Sequence, residues 1–163
     1  MALITALESP MPFEDPRCVS CYRCCVETEM ILLREDIERI CRLGYPVTYF
    51  AIWSGGFYRL RNSGGRCVFL RDDGRCAIYR FRPLGCRVYP LIFDEERGPI
   101  IDPLCPLARE FEARCRDVVE ALRGLRYLLS RLEIEYGYRV DWRLFEEGSR
   151  ALLERACREM VSV

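Results

Sequence analysis

Cysteine is the residue type with which this chain could do chemistry, because it occurs eleven times among 163 residues. Thiolates bind zinc and iron–sulfur clusters, whereas disulfides are rare in reducing compartments. Eight of the cysteines lie in irregular segments or at the turn-flanked ends of short strands, where metal ligands are usually presented. These eight candidate metal ligands are Cys18, Cys21, Cys24, Cys25, Cys67, Cys76, Cys86 and Cys105. They could supply two four-cysteine sites, or one site with spare thiols.

The spacing of the first cysteines favours a metal over disulfides. Cys18, Cys21 and Cys24 form the three-cysteine run of bacterial-type ferredoxins, in which a distant Cys-Pro completes a [4Fe–4S] cluster. Cys105, which precedes Pro106, could be that fourth ligand. Structural disulfides are the alternative, since heat-adapted intracellular proteins do carry them. If Cys105 completes the first site, four cysteines are left for a second site, or for redox and packing roles: Cys25, Cys67, Cys76 and Cys86.

The adjacent pair Cys24-Cys25 is poorly suited to bridge to itself. Neighbouring Cα atoms are about 3.8 Å apart, below the ~4.4 Å lower limit that is usual for a disulfide. In an extended chain the two side chains would point in opposite directions. We therefore expect the two thiols to serve two different centres.

Three further cysteines have a simpler explanation as small hydrophobic residues. Cys41, Cys115 and Cys157 each lie on the apolar face of a predicted helix. Free cysteine is among the most buried residue types. We expect these three to pack in the core as free thiols.

The remaining composition excludes several reaction classes. The chain has no histidine, and its 25 basic residues, all arginine, balance 25 acidic ones. Without histidine there is no Ser-His or Cys-His nucleophile pair, and without lysine there is no Schiff base and no P-loop lysine. A net charge of zero provides no global field that would attract nucleic acid or an anionic membrane.

Arginines are concentrated beside the later cysteines. Between Arg59 and Arg87 the sequence holds eight arginines and only two acidic residues. Arg82 and Arg87 flank Cys86, so we expect them to donate hydrogen bonds to cluster sulfurs and to offset the charge of the thiolates. An ordinary solvated face is one alternative. Another is an anion- or RNA-binding patch, with these stacking partners: Tyr58, Phe69, Tyr79, Phe81 and Tyr89.

Short strands are expected around the cysteines. The run from Cys18 to Cys25 has no helical or strand periodicity and is predicted to be a loop. Asp72-Asp73-Gly74 predicts a hairpin turn. Apolar and β-branched runs predict strands over residues 30–33, 57–60, 67–70, 77–79 and 91–93.

Helices are expected to support these segments. One helix is predicted over 35–43, ending at Gly44, and one long amphipathic helix over about 107–132. A last helix is predicted over about 149–161, with Met160 on its apolar face. The fold class is therefore α+β, a small cysteine-rich loop and hairpin core with short strands, packed against C-terminal helices.

Chain length favours a single domain. We expect residues 1–106 to form the cysteine-cluster metal-binding core and residues 107–163 a helical C-terminal extension packed on it. Residues 1–12 lack the basic leader of a secretory signal, and no run of 18 or more apolar residues would span a membrane. The expected compartment is the cytoplasm, where thiols stay mostly reduced.

Several separated motifs occur in a specific order along residues 18–106. They are Cys18-x2-Cys21-x2-Cys24-Cys25, Cys67-Val-Phe-Leu, Gly74-Arg75-Cys76-Ala-Ile-Tyr79, Arg82-Pro83-x2-Cys86-Arg87-Val-Tyr89-Pro90 and Cys105-Pro106. With these motifs the chain resembles the CxxCxxCC, or YkgJ-like, cysteine-cluster family of zinc- or iron-chelating proteins. The resemblance implies a bound metal, and a similar cluster in flagellin lysine methylases favours iron–sulfur.

Three functions are compatible with the sequence. The first is a metal-binding protein that holds an iron–sulfur cluster or Zn²⁺ in a structural or redox role. The three-plus-one pattern, which is the run of three cysteines plus the distant Cys105, slightly favours the iron–sulfur cluster. The second is a protein-modifying enzyme, methylase-like or an oxidoreductase, or its accessory subunit. The resemblance does not reach the last 57 residues, so methylase activity is not transferred. The third is an interaction adaptor whose C-terminal helices bind a protein or nucleic-acid partner.

Overall fold

The computed structural model describes residues 15–158. Its helices are α1 (Cys18–Cys21), α2 (Arg34–Arg42), α3 (Val47–Phe50), α4 (Leu84–Val88), α5 (Ala108–Glu112), α6 (Cys115–Tyr136) and α7 (Trp142–Ala156). Short 3-10 turns cover Arg23–Cys25 and Tyr79–Phe81. The strands are β1 (Ala51–Ser54), β2 (Phe57–Leu60), β3 (Asn62–Ser63), β4 (Arg66–Cys67), β5 (Leu91–Asp94) and β6 (Gly98–Ile101).

The strands form three separate antiparallel pairs, β1 with β2, β3 with β4, and β5 with β6. Ala51 lies opposite Leu60 in the first pair, Asn62 opposite Cys67 in the second, and Leu91 opposite Ile101 in the third. Together with the C-terminal helices, these small pairs confirm the predicted α+β class. Within residues 15–158, no helix has both the length and the apolar character needed to cross a membrane.

Two hydrophobic clusters stabilise the molecule. The helical core lies between α5, α6, α7 and the β5–β6 pair, around Phe111, Leu125 and Phe145. The cysteine-side core contains buried apolar side chains from α2, α3, β2 and the segments around β4, with half-buried cysteines packed against it. Its largest members are Leu32, Ile40, Phe50, Phe69 and Ile78. The cysteine-rich half therefore has an apolar core of its own.

The strand predictions were correct for two segments and wrong for three. β2 was predicted correctly, and β5 extends one residue beyond the predicted strand. Residues 30–33 make only one isolated bridge, from Ile31 to Arg59. The strand predicted over 67–70 stops at Cys67, and 77–79 is a turn that enters a 3-10 helix, because the chain reverses between Leu70 and Cys76. β1 and β6 were not predicted.

The helix predictions were correct near residue 40 and wrong in extent farther along. α2 ends beside Gly44, whose φ of +97° lets the chain leave the helix. The predicted helix over 107–132 is broken into α5 and α6, since Arg114 has a non-helical ψ of 85°. α7 starts at Trp142, where the Asp141 side chain accepts a hydrogen bond from the Leu144 N–H, and ends at Ala156. Residues 159–163, including Met160, lie outside the described residues.

A disulfide joins Cys115 to Cys157, with an S–S distance of 2.04 Å. The prediction that both are free core thiols was therefore wrong. The break before α6 places its first residue beside the end of α7, where the two Cα atoms are 4.8 Å apart. Cys41 is a free, half-buried thiol packed against the cysteine-side core, as predicted.

Gly98 makes the close contact between β6 and α7. Its φ is +78°, and a Cβ atom there would lie 2.6 Å from the backbone oxygen of Leu144. Gly98→Ala should lower the free energy of unfolding by about 3 kcal/mol, because it adds this clash to the backbone cost. Gly137→Ala is the matched control, since Gly137 has a φ of +67° with nothing within 4 Å of its Cβ position.

Urea unfolding of both glycine variants measures the difference. Gly137→Ala should lose about 1 kcal/mol from the left-handed backbone alone. Equal losses in the two variants would contradict the close packing of β6 on α7.

Candidate metal centre

The first four cysteines lie on two tight turns rather than in an irregular loop. Cys18 and Cys21 begin and end the single turn of α1, and Cys24 and Cys25 lie in the following 3-10 turn. Tyr22 joins the two turns with a left-handed φ of 47°. The Cys25 N–H donates a hydrogen bond to the Tyr22 carbonyl at 2.9 Å. The prediction of a loop was wrong here, since turns this short carry no readable periodicity.

The other four cysteines are presented by separate elements. Cys67 ends β4, and Cys76 closes the turn that begins at Leu70. Cys86 lies in α4. Cys105 follows a turn in which its N–H donates to the Asp102 carbonyl at 3.1 Å. Long-range folding is therefore needed to bring these thiols to the first four.

Two adjoining cavities of about 50 Å³ each collect the eight cysteines. The first cavity is lined by Cys18, Cys24, Cys25, Cys67, Cys76 and Cys86. The second cavity is lined by Cys18, Cys21, Cys24, Cys86 and Cys105. None of the eight is in a disulfide. The structure thus brings every cysteine predicted as a metal ligand to one region.

The ferredoxin-like spacing suggests two sets of four thiols, whose electrostatic interactions can be compared. Each thiol lies within electrostatic reach of others in its own set, and Cys24 also interacts with the other set. The first set is Cys18, Cys21, Cys24 and Cys105. The second set is Cys25, Cys67, Cys76 and Cys86. Cys24 interacts with Cys18 and Cys105 and also with all four thiols of the second set, so the electrostatic interactions alone do not separate the two sets.

Cys24 and Cys25 contact each other, contrary to the prediction that their side chains point apart. That prediction assumed an extended chain, whereas the pair lies in a 3-10 turn. The Cys25 thiol hydrogen bonds to the Cys24 sulfur, which, with the positive charge of Arg82, lowers the pKa of Cys24 to about 7. The same hydrogen bond, together with burial, raises the pKa of Cys25.

Burial keeps most of the other thiols protonated. It raises the pKa of Cys18 and of Cys67 to about 11 in each case. It also raises the pKa of Cys76, Cys86 and Cys105. Metal ligation requires thiolates, so loading such a site would release protons.

Arginines lie against the thiols. Arg82 lines both cavities, stacks its guanidinium 3.8 Å from the centre of the Tyr79 ring, and lowers the pKa of Cys24. Arg87 is buried and lines the second cavity together with Arg23. Burial and the neighbouring charges of Arg39 and Arg82 lower the pKa of Arg87. Positive charge is thus concentrated where thiolates would form.

Asp36 is a positioning residue that sequence reasoning missed. Its side chain is fully buried and accepts hydrogen bonds from the N–H groups of Leu33 and Leu84, each at 3.0 Å. Arg39 pairs with it at 2.6 Å and also donates to the Arg82 carbonyl at 3.0 Å. Leu84 is the first residue of α4, so Asp36 orients the helix that carries Cys86. An acidic residue in the first turn of α2 was the available signal.

Asp36→Asn tests this support without leaving a cavity. The asparagine amide has a single uncharged oxygen, so it cannot accept hydrogen bonds from both backbone N–H groups as the carboxylate does. We therefore expect the free energy of unfolding to fall by about 2–3 kcal/mol. Glu38→Gln on the exposed face of α2 is the control and should change it by less than about 0.5 kcal/mol. Chemical denaturation measures both, and a neutral Asp36→Asn would show that the carboxylate does not hold α4.

Tyr89 and Asp102 support the turn that carries Cys105. The Tyr89 hydroxyl donates to Asp102 Oδ2 at 3.0 Å, and the Leu104 N–H donates to Asp102 Oδ1 at 2.9 Å. Tyr89 also lines both cavities. An aspartate three residues before a cysteine gave a weak turn signal, but its partner Tyr89 lies too far along the chain to be read from the sequence.

The donor set fits a thiolate-bound metal in type and number. Eight free thiols in two sets of four match the ligand needs of zinc or iron–sulfur sites. Among residues 15–158, however, no three Cys, Asp, Glu or His side chains are already arranged as a metal-binding group. The thiols line the same cavities as free cysteines.

Comparison with known proteins identifies one curated relative and one family. "Uncharacterized protein MJ0661" of Methanocaldococcus jannaschii is 29% identical over 90 residues, which cover 51% of this chain and 48% of that protein. The chain therefore spans about half the length of the curated relative that it matches. No solved structure matches the chain.

The family match includes the whole cysteine cluster. The model of the CxxCxxCC family, described as "Putative zinc- or iron-chelating domain", matches residues 17–116. This range contains all eight cysteines of the two cavities and extends past Pro106 into the start of α6. It supports metal binding and covers more than half of the chain, so the chain belongs to the CxxCxxCC family.

Proposed function

We propose that this protein holds an iron–sulfur cluster through the first set of cysteines: Cys18, Cys21, Cys24 and Cys105. The observation that carries the proposal is the convergence of free thiols from four parts of the chain on two adjoining cavities. Burial raises the pKa of most of these thiols, so a bound cation or cluster is what would stabilise them together as thiolates.

The second set is proposed as the ligands of a second centre, zinc or iron–sulfur: Cys25, Cys67, Cys76 and Cys86. Cys86 lines both cavities, and Cys24 interacts with both sets, so the two centres would be neighbours. The Cys24–Cys25 contact would be exchanged for two metal bonds. Each cysteine has a single side-chain torsion before its sulfur, so rotation between staggered wells would contribute to this change.

The arginines would complete the site. Arg82 and Arg87 are proposed to donate hydrogen bonds toward ligated sulfur and to offset the excess negative charge of four thiolates. Arg87 is buried and Arg82 half-buried beside the second cavity, which supports this role because desolvated guanidinium groups are stabilised by nearby anions. When bound, a cluster would supply electron transfer or structural cross-linking.

Iron–sulfur is favoured over zinc by the three-plus-one ligand pattern of the first set. Anaerobic purification followed by an optical spectrum and elemental analysis tests this choice. A broad absorption band at about 400 nm, together with iron and sulfide in the elemental analysis, would support the proposal. A colourless protein that contains zinc would show that the bound metal is zinc and not iron. A protein that contains neither metal would overturn metal binding by these cysteines.

Single substitutions test the division into two sets. Cys105 lines only the second cavity and Cys76 only the first. Cys105→Ser and Cys76→Ser should each lose one centre and keep the other, which metal content per chain measures. Cys41→Ser is the matched control, because this half-buried thiol lines neither cavity. Loss of all metal from either variant would indicate one shared site.

We further propose that residues 1–106 and 107–163 act as one domain. The helical core includes Leu33, Leu91 and Cys105 together with Phe111 and Phe145 from the C-terminal helices. Such shared burial supports a single domain in which the helices hold the cysteine-rich part from one side.

A further inference from the structure

Another cavity, which none of the eight candidate ligand cysteines lines, is rich in arginine. The start of α6, the helix α5 and the end of α7 surround a space of about 730 Å³, which we name the arginine cavity. Its lining includes Arg109, Arg114, Arg116, Arg155 and Arg158. The acidic residues of the lining are Glu112 and Asp117, and Asp15 pairs with Arg114 at 3.4 Å, so among the described residues arginines outnumber carboxylates at this cavity.

The carboxylates are already engaged. Glu112 pairs with Arg155 at 2.8 Å, and Asp117 pairs with Arg114 at 3.7 Å. Within the described part of the chain, Arg109 and Arg116 have no carboxylate within 4.0 Å. Both side chains are exposed. The arginine cavity therefore keeps guanidinium groups that are available to an anion from solution.

A covalent bond holds these like charges together. Cys115 lines the cavity, and its disulfide to Cys157 joins the first residue of α6 to the residue that follows α7. The disulfide thus fixes the start of α6, with the exposed Arg116, beside the end of α7.

We propose that the arginine cavity binds a small soluble anion that carries two or more phosphate groups. Guanidinium groups form paired, charge-assisted hydrogen bonds with phosphate oxygens, which makes arginine clusters selective for such anions. The volume falls within the ~300–1,000 Å³ range of small-molecule sites. Among the described residues no aromatic side chain lines the cavity, so recognition would rest on the phosphates and not on stacking with a base.

Isothermal titration with inorganic pyrophosphate tests the site on the full chain. Arg109→Ala and Arg116→Ala should each weaken binding about ten-fold, as expected for loss of one charge-assisted contact. Arg150→Ala is the matched control, because Arg150 is an exposed arginine of α7 outside the cavity. Circular dichroism melting of each variant establishes that the fold is kept. Equal affinity in all four proteins, or no binding to any of them, would overturn the proposal.

Further titrations identify the source of the phosphates. A nucleoside triphosphate that binds about as tightly as inorganic triphosphate would support recognition through phosphates alone. Binding only to vesicles that contain phosphoinositides, with none to soluble polyphosphates, would overturn the soluble ligand. Raising the salt concentration should weaken the interaction strongly, because exposed ion pairs are screened over ~8 Å at physiological ionic strength. The proposal is independent of the metal centre, and its failure would leave that function untouched.

Discussion

Loss of the metal should unfold the cysteine-rich half of the protein. Cys21→Ser, or removal of metal from the loaded protein by a chelator, is expected to lower stability by an amount comparable with that of a whole domain. Thiolate-bound zinc contributes ~10–16 kcal/mol to folding in zinc fingers, whereas domains are typically stable by only ~5–15 kcal/mol. Cys21 lines only the second cavity, so this substitution removes one ligand of the first set.

The effect should be largest around the cysteines, because little else holds that half together. Its strands occur only as isolated two-stranded pairs, which are marginally stable in water. Its apolar core is small, and half-buried Cys25, Cys76 and Cys86 pack against it. The helical core, by contrast, is built mainly from α5, α6 and α7, and of the eight cavity cysteines it includes only Cys105, with Cys18 packed against it. We therefore expect α6 and α7 to retain helical structure after metal loss.

Amide hydrogen exchange resolves the two halves. In the metal-free protein, protection should be lost from β1 to β4 and largely retained in the interior of α6. Cys41→Ser provides the control, because it removes a thiol that packs on the same core without lining either cavity. A metal-free protein that melts at the same temperature as the loaded one would exclude a structural role for the metal.

The candidate site was predictable because its signal is local and chemical. Cysteine is an unusual residue to accumulate in a chain of this size, and the x2 spacing of Cys18, Cys21 and Cys24 already implies a shared centre. The sequence does not reveal the hydrogen bonds that position the elements carrying the cysteines. Asp36 reaches Leu84 across 48 positions, and such hydrogen bonds leave no periodic trace. The contact between Cys24 and Cys25 depended on a 3-10 turn that is too short to be recognised.

Helices were predictable where the apolar spacing and the end signals agree. They were predicted wrongly where the apolar spacing continues across a break in the helix. α2 has an amphipathic face and a terminal Gly44, so both of its ends were readable. The apolar spacing runs unbroken from Leu107 to Leu132, although Arg114 interrupts the helix. That interruption also explains the error over Cys115, since a continuous helix would have kept it on a packed face, away from Cys157.

Removing the Cys115–Cys157 disulfide should give the second largest loss of stability. The bond closes a loop of 42 residues, for which the chain-entropy model gives about 4 kcal/mol of stabilisation. Cys157→Ala should approach that loss, which urea unfolding measures. The loss arises mainly from the greater freedom of the unfolded chain, so the folded helices should keep their circular dichroism spectrum.

Chemical reduction distinguishes the contribution of the disulfide bond to stability from that of the Cys157 side chain. A phosphine reductant should lower the stability of the wild-type protein to that of Cys157→Ala and leave the variant unchanged. The reductant-insensitive variant also controls for any effect on the metal centre, since both proteins carry the same eight cavity cysteines. If alkylation and mass spectrometry found both thiols free in protein purified without reductant, the bond would not form in solution. In that case Cys115 and Cys157 would be core thiols, and the arginine cavity would lose the covalent link between α6 and α7.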